Sequence, residues 1–261
     1  MNLGLRGKVA LVMASSRGLG QAMAVSLARE GVKVAVTGRN PEGLKKSVEL
    51  IEAAGGTALA LSWDLSDPSV IDGLVSKIEQ ELGPIDILVN NTGGPPPTLA
   101  AGQDPALWQK SFNDMVLSLI SITDRVLPGM RQRKWGRIIT STTSGAIAPI
   151  KNLAISNTLR AALLAWSKTL SAEVAADGVT VNVIMPGRVA TDRLRQLDEA
   201  RAQRESISYD SVVKASLNLI PAGRYGDPQE YGDTAAFLAS QNASYITGSV
   251  IRVDGGQIQA I

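Results

Sequence analysis

The 261-residue chain contains no histidine and no cysteine. That excludes a Ser-His-Asp triad, a Cys-His pair, a disulfide and an ordinary zinc site. Any catalysis has to come from Ser, Thr, Tyr, Lys, Arg, Asp, Glu, the backbone or a bound cofactor. Aromatic residues are scarce at 4%, and the charges nearly balance at a formal +2. There is no basic stripe interleaved with aromatics, so a nucleic-acid partner is not expected. No apolar run reaches the length of a membrane span. The N-terminal MNLGLRGKVALVMASS enters a strand-like segment with neither an apolar leader region nor a small-residue cleavage site. The expectation is a cytoplasmic chain with no membrane partner.

What is present is an alternation. Short β-rich runs occur at KVALVM (8–13), KVAVT (33–37), TALALSW (57–63), IDILVN (85–90), GRIITST (136–142), VTVNVIM (179–185) and SVIRVD (249–254), and each of the first six precedes a segment able to form a helix. Near-continuous Val, Ile and Leu fits strands buried on both faces, and the alternation predicts a parallel sheet covered by helices on both sides. The length favours one domain over 1–261. Two helices look long, Pro105 to about Arg133 and Asn152 to Ala176. From Thr191 to Ile220 the chain is charged and weakly periodic, and reads as a lid at about 191–220. Its Arg193, Arg195, Arg201 and Arg204 alternate with Asp192, Asp198, Glu199 and Glu205, the pattern of a solvated helix face.

The first strand runs into ASSRGLG (14–20), which opens a helix. Gly18 and Gly20 let the backbone approach a pyrophosphate at the helix N-terminus, where free N–H groups and the dipole favour negative charge. The second strand ends in TGRN (37–40), with no Asp or Glu between Glu30 and Glu42. An acid there would select NAD(H) through the ribose; Arg39, with Arg17, instead suits a 2′-phosphate, so NADP(H) is expected over NAD(H). Both arginines are also compatible with plain solvation.

With these residues on view, the chain resembles the short-chain dehydrogenase/reductase family over almost its whole length, in the branch of 3-oxoacyl-carrier-protein reductases. ASSRGLG, WDLSD, NNTGG, MPGRVATDR, GRYGDPQEYGDTAAFLAS and YITGSVIRVDGGQ follow the family's motifs in order. The resemblance implies a Rossmann-type doubly wound sheet of about seven parallel strands and a homotetramer joined through the two long helices. It also implies an NADP(H)-linked oxidoreductase acting on a small-molecule carbonyl or alcohol. By carry-over, Ser15, Arg17, Gly18, Leu19, Gly20 and Arg39 line the phosphates, and Asp64 and Leu65 the adenine. Asn91 and Gly93 fall by the adenosine ribose, and Pro186, Gly187, Val189 and Thr191 along the nicotinamide.

The departures concern chemistry. Where the family has Tyr-x-x-x-Lys, this chain has Ser156 and Arg160, one turn apart on a helix face. Met115 stands where the family has Asn. The family's Ser falls within STTSG, with Thr142 the first choice and Ser141, Thr143 and Ser144 open. Ala14 replaces the first glycine of the Gly-rich turn. A serine hydroxyl is too weak an acid for the tyrosine's role without a base beside it, and arginine stays protonated. The pair can still bind cofactor and polarise a carbonyl, while water, ribose hydroxyls, Tyr209 or Lys151 carry the proton. Tyr225, Tyr231 and Tyr245 fall in C-terminal structural motifs, leaving Tyr209 as the free phenol. The alternative expectation is an NADP(H)-binding pseudoenzyme acting as a subunit or sensor; a structural role for Ser156 and Arg160 is the plainer reading of the pair.

Overall fold

Alternation within the first strand sets the architecture. Val9, Leu11 and Met13 join one apolar cluster, and Ala10 and Val12 join another on the opposite face. Both faces therefore need cover, and helices supply it on each side. The computed structural model describes residues 2–259. Its strands are β1 (Val9–Val12), β2 (Lys33–Gly38), β3 (Thr57–Ser62), β4 (Ile87–Asn90), β5 (Gly136–Ser141), β6 (Val179–Pro186) and β7 (Val250–Val253). They form one parallel seven-stranded sheet in the order β3-β2-β1-β4-β5-β6-β7. The doubly wound Rossmann-type fold expected from the sequence is the one observed.

The helices are α1 (Gly18–Arg29), α2 (Pro41–Ala53), α3 (Ile71–Glu81), α4 (Pro105–Phe112), α5 (Ser118–Gln132), α6 (Ala154–Val174), α7 (Asp192–Glu205), α8 (Tyr209–Leu217) and α9 (Pro228–Ala239). The chain winds outward from β1 to β3, then crosses back to β4. Ligands of such sheets bind where the winding reverses, outside the carboxyl ends of the strands, here between β1 and β4.

One expectation changes in detail. The long helix from Pro105 is interrupted by a π-helical turn, Asn113–Leu117, between α4 and α5. Such a turn inserts one residue and re-aims the side chains beyond it. Met115 lies inside it, buried with Val116, Leu119, Ile155, Leu159 and Leu163. The charged segment 191–220 folds into α7 and α8.

Candidate active site

At the reversal point β1 runs out into the Gly-rich turn and β4 into Asn91–Gly94. The Asn91 amide joins them, donating to the Met13 and Ala14 carbonyls at 3.3 and 3.2 Å. Ala14 has φ +46°. The turn thus keeps the left-handed backbone that glycine adopts freely, at a cost of about 1–2 kcal/mol for an alanine. Gly20 is where α1 touches the turn: a Cβ there would fall onto the Ala14 carbonyl oxygen and lie 2.8 Å from Asn91 Nδ2.

Helix α1 starts at Arg17 with no side-chain cap and no acid in its first turn. The neighbouring α2 is capped by Asn40, which accepts from Gly43 N–H at 3.1 Å. The first N–H groups of α1 are therefore left for an anion, and the backbone cradle that a Cβ at Gly20 would fill has the form a dinucleotide diphosphate needs. Supports for the turn come from outside the Gly-rich motif. The buried Ser47 hydroxyl lies 2.9 Å from both the Ser15 and Gly43 carbonyls and accepts from Gln21 Nε2 at 2.8 Å. Their only signal was a polar residue on an otherwise apolar helix face.

Ser15 is fully buried, and its hydroxyl donates to Val12 O at 2.8 Å and accepts from Thr37 N–H at 2.9 Å, fastening β1 to β2 beneath the turn. Arg17 and Arg39 are exposed at the crevice edge, with the Arg39 guanidinium 3.9 Å from Asp64. The Ser66 N–H on its carboxylate, and after it the Ser66 hydroxyl and Arg39, hold Asp64 below its usual pKa against the opposing pull of burial. Leu19 and Leu65 are half-buried, packed against the clusters on opposite faces of the sheet.

Beyond β6, Gly187 N–H donates to Val253 O at 2.9 Å, the buried Val189 bridges to Gly226, and Thr191 caps α7 by accepting from Leu194 N–H at 3.3 Å. With Pro186 they continue the carboxyl edge of the sheet.

Ser156 sits in the first turn of α6, nearly buried, and its hydroxyl has no hydrogen-bond partner among the described residues. Arg160, one turn on, is turned to the main chain. It donates to Ser141 O at 3.0 Å, to Thr92 O and Oγ1 at 3.1 Å each, and to Gly93 O at 3.2 Å. The guanidinium fork spans carbonyls just past β4 and at the end of β5, which strand pairing leaves open. Burial lowers its pKa to about 10, so it stays charged at neutral pH.

The hydroxyls of STTSG divide by what they donate to. Ser141 Oγ pairs with Tyr231 OH at 2.9 Å. Thr142, the expected catalytic hydroxyl, points its hydrogen at Ile184 O at 3.4 Å, where its own N–H also donates at 3.0 Å. Strand register turns it toward β6. Thr143 accepts from Gly145 N–H at 3.4 Å, which leaves its O–H free; Ser144 has no hydrogen bond among the described side chains.

Of the phenols, Tyr231 is buried and donates to Ile184 O at 3.0 Å, its pKa raised by burial. Tyr225 donates to Asp198 at 2.8 Å. Tyr209 opens α8, partly exposed, but it is not the sole free phenol, because Tyr245 is fully exposed. Lys151 is exposed just before α6. Asp198 also departs from the solvated face expected of it. It is 1% exposed and pairs with Arg188 at 2.6 Å. Arg195–Glu199 and Arg201–Glu205 form the expected surface pairs, while Arg193 reaches across to Pro95 O at 3.3 Å.

The family model adh_short_C2, described as Enoyl-(Acyl carrier protein) reductase, matches residues 13–257. The chain belongs to the short-chain dehydrogenase/reductase family. It is accordingly an enzyme of the short-chain dehydrogenase/reductase class, an oxidoreductase. It is 36% identical over 256 residues to the 3-oxoacyl-[acyl-carrier-protein] reductase FabG of Escherichia coli (strain K12), covering 97% of this chain and 98% of that protein. The NADPH-dependent reductase BacG of Bacillus subtilis (strain 168) is 32% identical over 256 residues, 97% of this chain and 99% of BacG. Among solved structures, L-sorbose reductase from Gluconobacter frateurii complexed with NADPH and L-sorbose matches with a TM-score of 0.93 at 30% identity over 100% of both chains. Helix α6 of this chain carries Ser156 and Arg160 one turn apart. No helix among the described residues is long and apolar enough to cross a membrane.

Proposed function

We propose that the chain is an NADP(H)-dependent oxidoreductase that interconverts a carbonyl and a secondary alcohol with non-standard catalytic residues. The observation that carries this is the uncapped start of α1 beneath a glycine cradle, with Arg17 and Arg39 at its rim. Preference for NADP(H) over NAD(H) rests on those two arginines and on the lack of an acid at the end of β2; Arg39→Ala should narrow the gap between NADPH and NADH affinities. A bound nicotinamide supplies the hydride. The free O–H groups of Thr143 and Ser156 donate to the substrate oxygen, a task for which Thr142 is wrongly turned. Arg160 cannot relay a proton, so that proton comes from water, ribose hydroxyls, Tyr209 or Lys151. Loss of general-acid help costs about 10²–10⁴ in rate, which an activated carbonyl tolerates.

We read residues 1–261 as one domain with a lid at about 191–220, in a cytoplasmic homotetramer joined through α4, α5 and α6. Exposed Phe112, just before the π turn, and Leu117, its last residue, support that interface. The test is label transfer: purified protein, NADPH deuterated at the pro-S position and a metabolite extract, read by mass spectrometry. A labelled alcohol is the expected result and names the substrate. No label, with NADPH binding shown in the same sample, favours a pseudoenzyme, the reading helped by the commitment of Arg160 to main-chain carbonyls.

A further inference from the structure

Arg160 is a buried cation without a counter-charge. It is 6% exposed, and its acceptors, Ser141 O, Thr92 O and Oγ1, and Gly93 O, are all neutral. No carboxylate among the described residues lies within ion-pairing distance of it. By contrast, the part-buried Arg188 is matched by buried Asp198. The Tyr231 phenol interacts with it across Ser141, whose carbonyl accepts from Arg160 and whose hydroxyl lies 2.9 Å from Tyr231 OH. Burial holds that phenol neutral, so it offers no compensation. Arg137 is also buried with carbonyl partners, but it lies at the amino end of β5, where its guanidinium stacks on Trp135 at 4.4 Å.

The place of the Arg160 charge matters more than its hydrogen bonds. Thr92 and Gly93 follow β4 and Ser141 ends β5, so the charge stands behind the carboxyl edge of the sheet, on the β4–β5 side of the crevice. An unpaired charge in a low-dielectric wall acts over several ångströms with little screening. On the nucleotide reading proposed above, on which this inference rests, phosphates take the start of α1. The nicotinamide end then lies on the half of the crevice that Arg160 underlies. An oxidised nicotinamide ring carries a positive charge and a reduced ring none.

We propose that Arg160 makes this site read the redox state of the nicotinamide, holding the uncharged reduced form more tightly than the cationic oxidised form. The oxidised nucleotide is thereby expelled after turnover, and the enzyme works in the direction of carbonyl reduction. The anionic adenosine and diphosphate portions are common to both forms and cancel from the comparison.

The experiment is calorimetric titration of the full chain with NADPH, with NADP+ and with adenosine 2′,5′-bisphosphate, which probes only the adenosine end. It is repeated on Arg160→Gln, on Arg160→Lys and on Arg160→Met, whose apolar stem fills the same site should the Gln variant not fold. The parent should bind NADPH at least about tenfold more tightly than NADP+. That ratio should fall to about threefold or less in the neutral variants and persist in Arg160→Lys, which keeps the charge but not the carbonyl fork. Because the ratio is taken within each variant, general loosening of the site weakens both nucleotides and drops out. Equal affinities in the parent, an unchanged ratio in the neutral variants, or a ratio lost as fully in the Lys variant overturns the inference. If the bisphosphate binds while NADPH and NADP+ are equal, only this inference fails; if none of the three binds, the nucleotide reading fails as well.

Discussion

Replacing Gly20 by alanine tests the geometry on which the nucleotide site depends. The added Cβ would meet the Ala14 carbonyl oxygen and come within 2.8 Å of Asn91 Nδ2. Neither neighbour can yield cheaply, since one is backbone in a turn already at φ +46° and the other bridges β1 to β4. Overpacking of this kind costs about 1–3 kcal/mol. At roughly 2–4 °C per kcal/mol for a chain of this size class, the melting temperature should fall by about 2–12 °C. Binding should suffer further, because the Cβ displaces the first N–H groups of α1. One lost charge-assisted hydrogen bond, about 1.5–3 kcal/mol, corresponds to roughly a 10- to 150-fold weaker Kd. The control is Gly73→Ala. Gly73 lies within α3, a Cβ there meets nothing within 4 Å, and its φ is not left-handed. Helix propensity alone should raise stability there by about 0.5–1 kcal/mol with NADPH binding unchanged. Thermal unfolding and NADPH fluorescence titration read both quantities. A Gly20→Ala protein that melts and binds like the parent would refute the close-approach argument.

Ala14→Gly should raise stability by about 0.5–1 kcal/mol, since relief of the left-handed alanine exceeds the entropy glycine adds to the unfolded chain; a lower melting temperature would count against the strain at φ +46°. Thr143→Ala should lower kcat by about 10², as removal of one oxyanion donor does, whereas Thr142→Val should leave it within about threefold; equal losses would return the role to Thr142. Asp198→Asn leaves Arg188 without its partner at 2.6 Å. The partial exposure of Arg188 limits the cost to about 2–3 kcal/mol, and limited proteolysis should cut 192–217 faster than in the parent. The Glu230 carboxyl is held at a pKa of about 2, first by the Arg224 side chain and then by Asp227 N–H, below its ordinary 4.5. Its folded pKa is depressed, so its stabilising effect is present above about 4.5 and fades as pH falls toward about 2. Glu230→Gln should flatten the acid side of the stability profile across that window, as followed by melting temperature against pH.

Much of the fold was legible because the signal was local. Runs such as KVALVM, apolar at every position after Lys8, and VTVNVIM, interrupted only by Thr180 and Asn182, have the near-continuous apolar character of strands covered on both faces. The Gly-rich turn could be read for a similar reason, since glycine spacing and the start of a helix lie within one heptapeptide. The misreadings fall where partners are distant in sequence. Asp198 looks like one charge in an alternating face until β6 leads Arg188 and the 219–227 loop brings Tyr225 against it. Thr142 and Thr143 differ by one residue, and one residue of strand register exchanges inward for outward. A π turn adds one residue and so shifts the apolar phase by one position, a change too local to separate from a continuous helical pattern over Asn113–Leu117.

Arg160 shows how far a substitution at a recognisable position can alter a role while keeping a charge. A lysine at that place would carry one compact ammonium able to approach a neighbouring hydroxyl. An arginine carries a planar fork, which here closes on acceptors 68, 67 and 19 residues away in sequence and so ties the ends of β4 and β5 together. The side chain that would acidify a catalytic tyrosine in the familiar arrangement thus becomes part of the wall, and the serine four residues before it, with no cation bonded to it, keeps an O–H that can donate a hydrogen bond but is too weak an acid to release its proton at neutral pH. On the proposed reading, such a site would suit a carbonyl electrophilic enough to accept hydride before its oxygen is protonated, and the buried guanidinium would then act as a fixed positive charge behind the crevice and not as a proton relay.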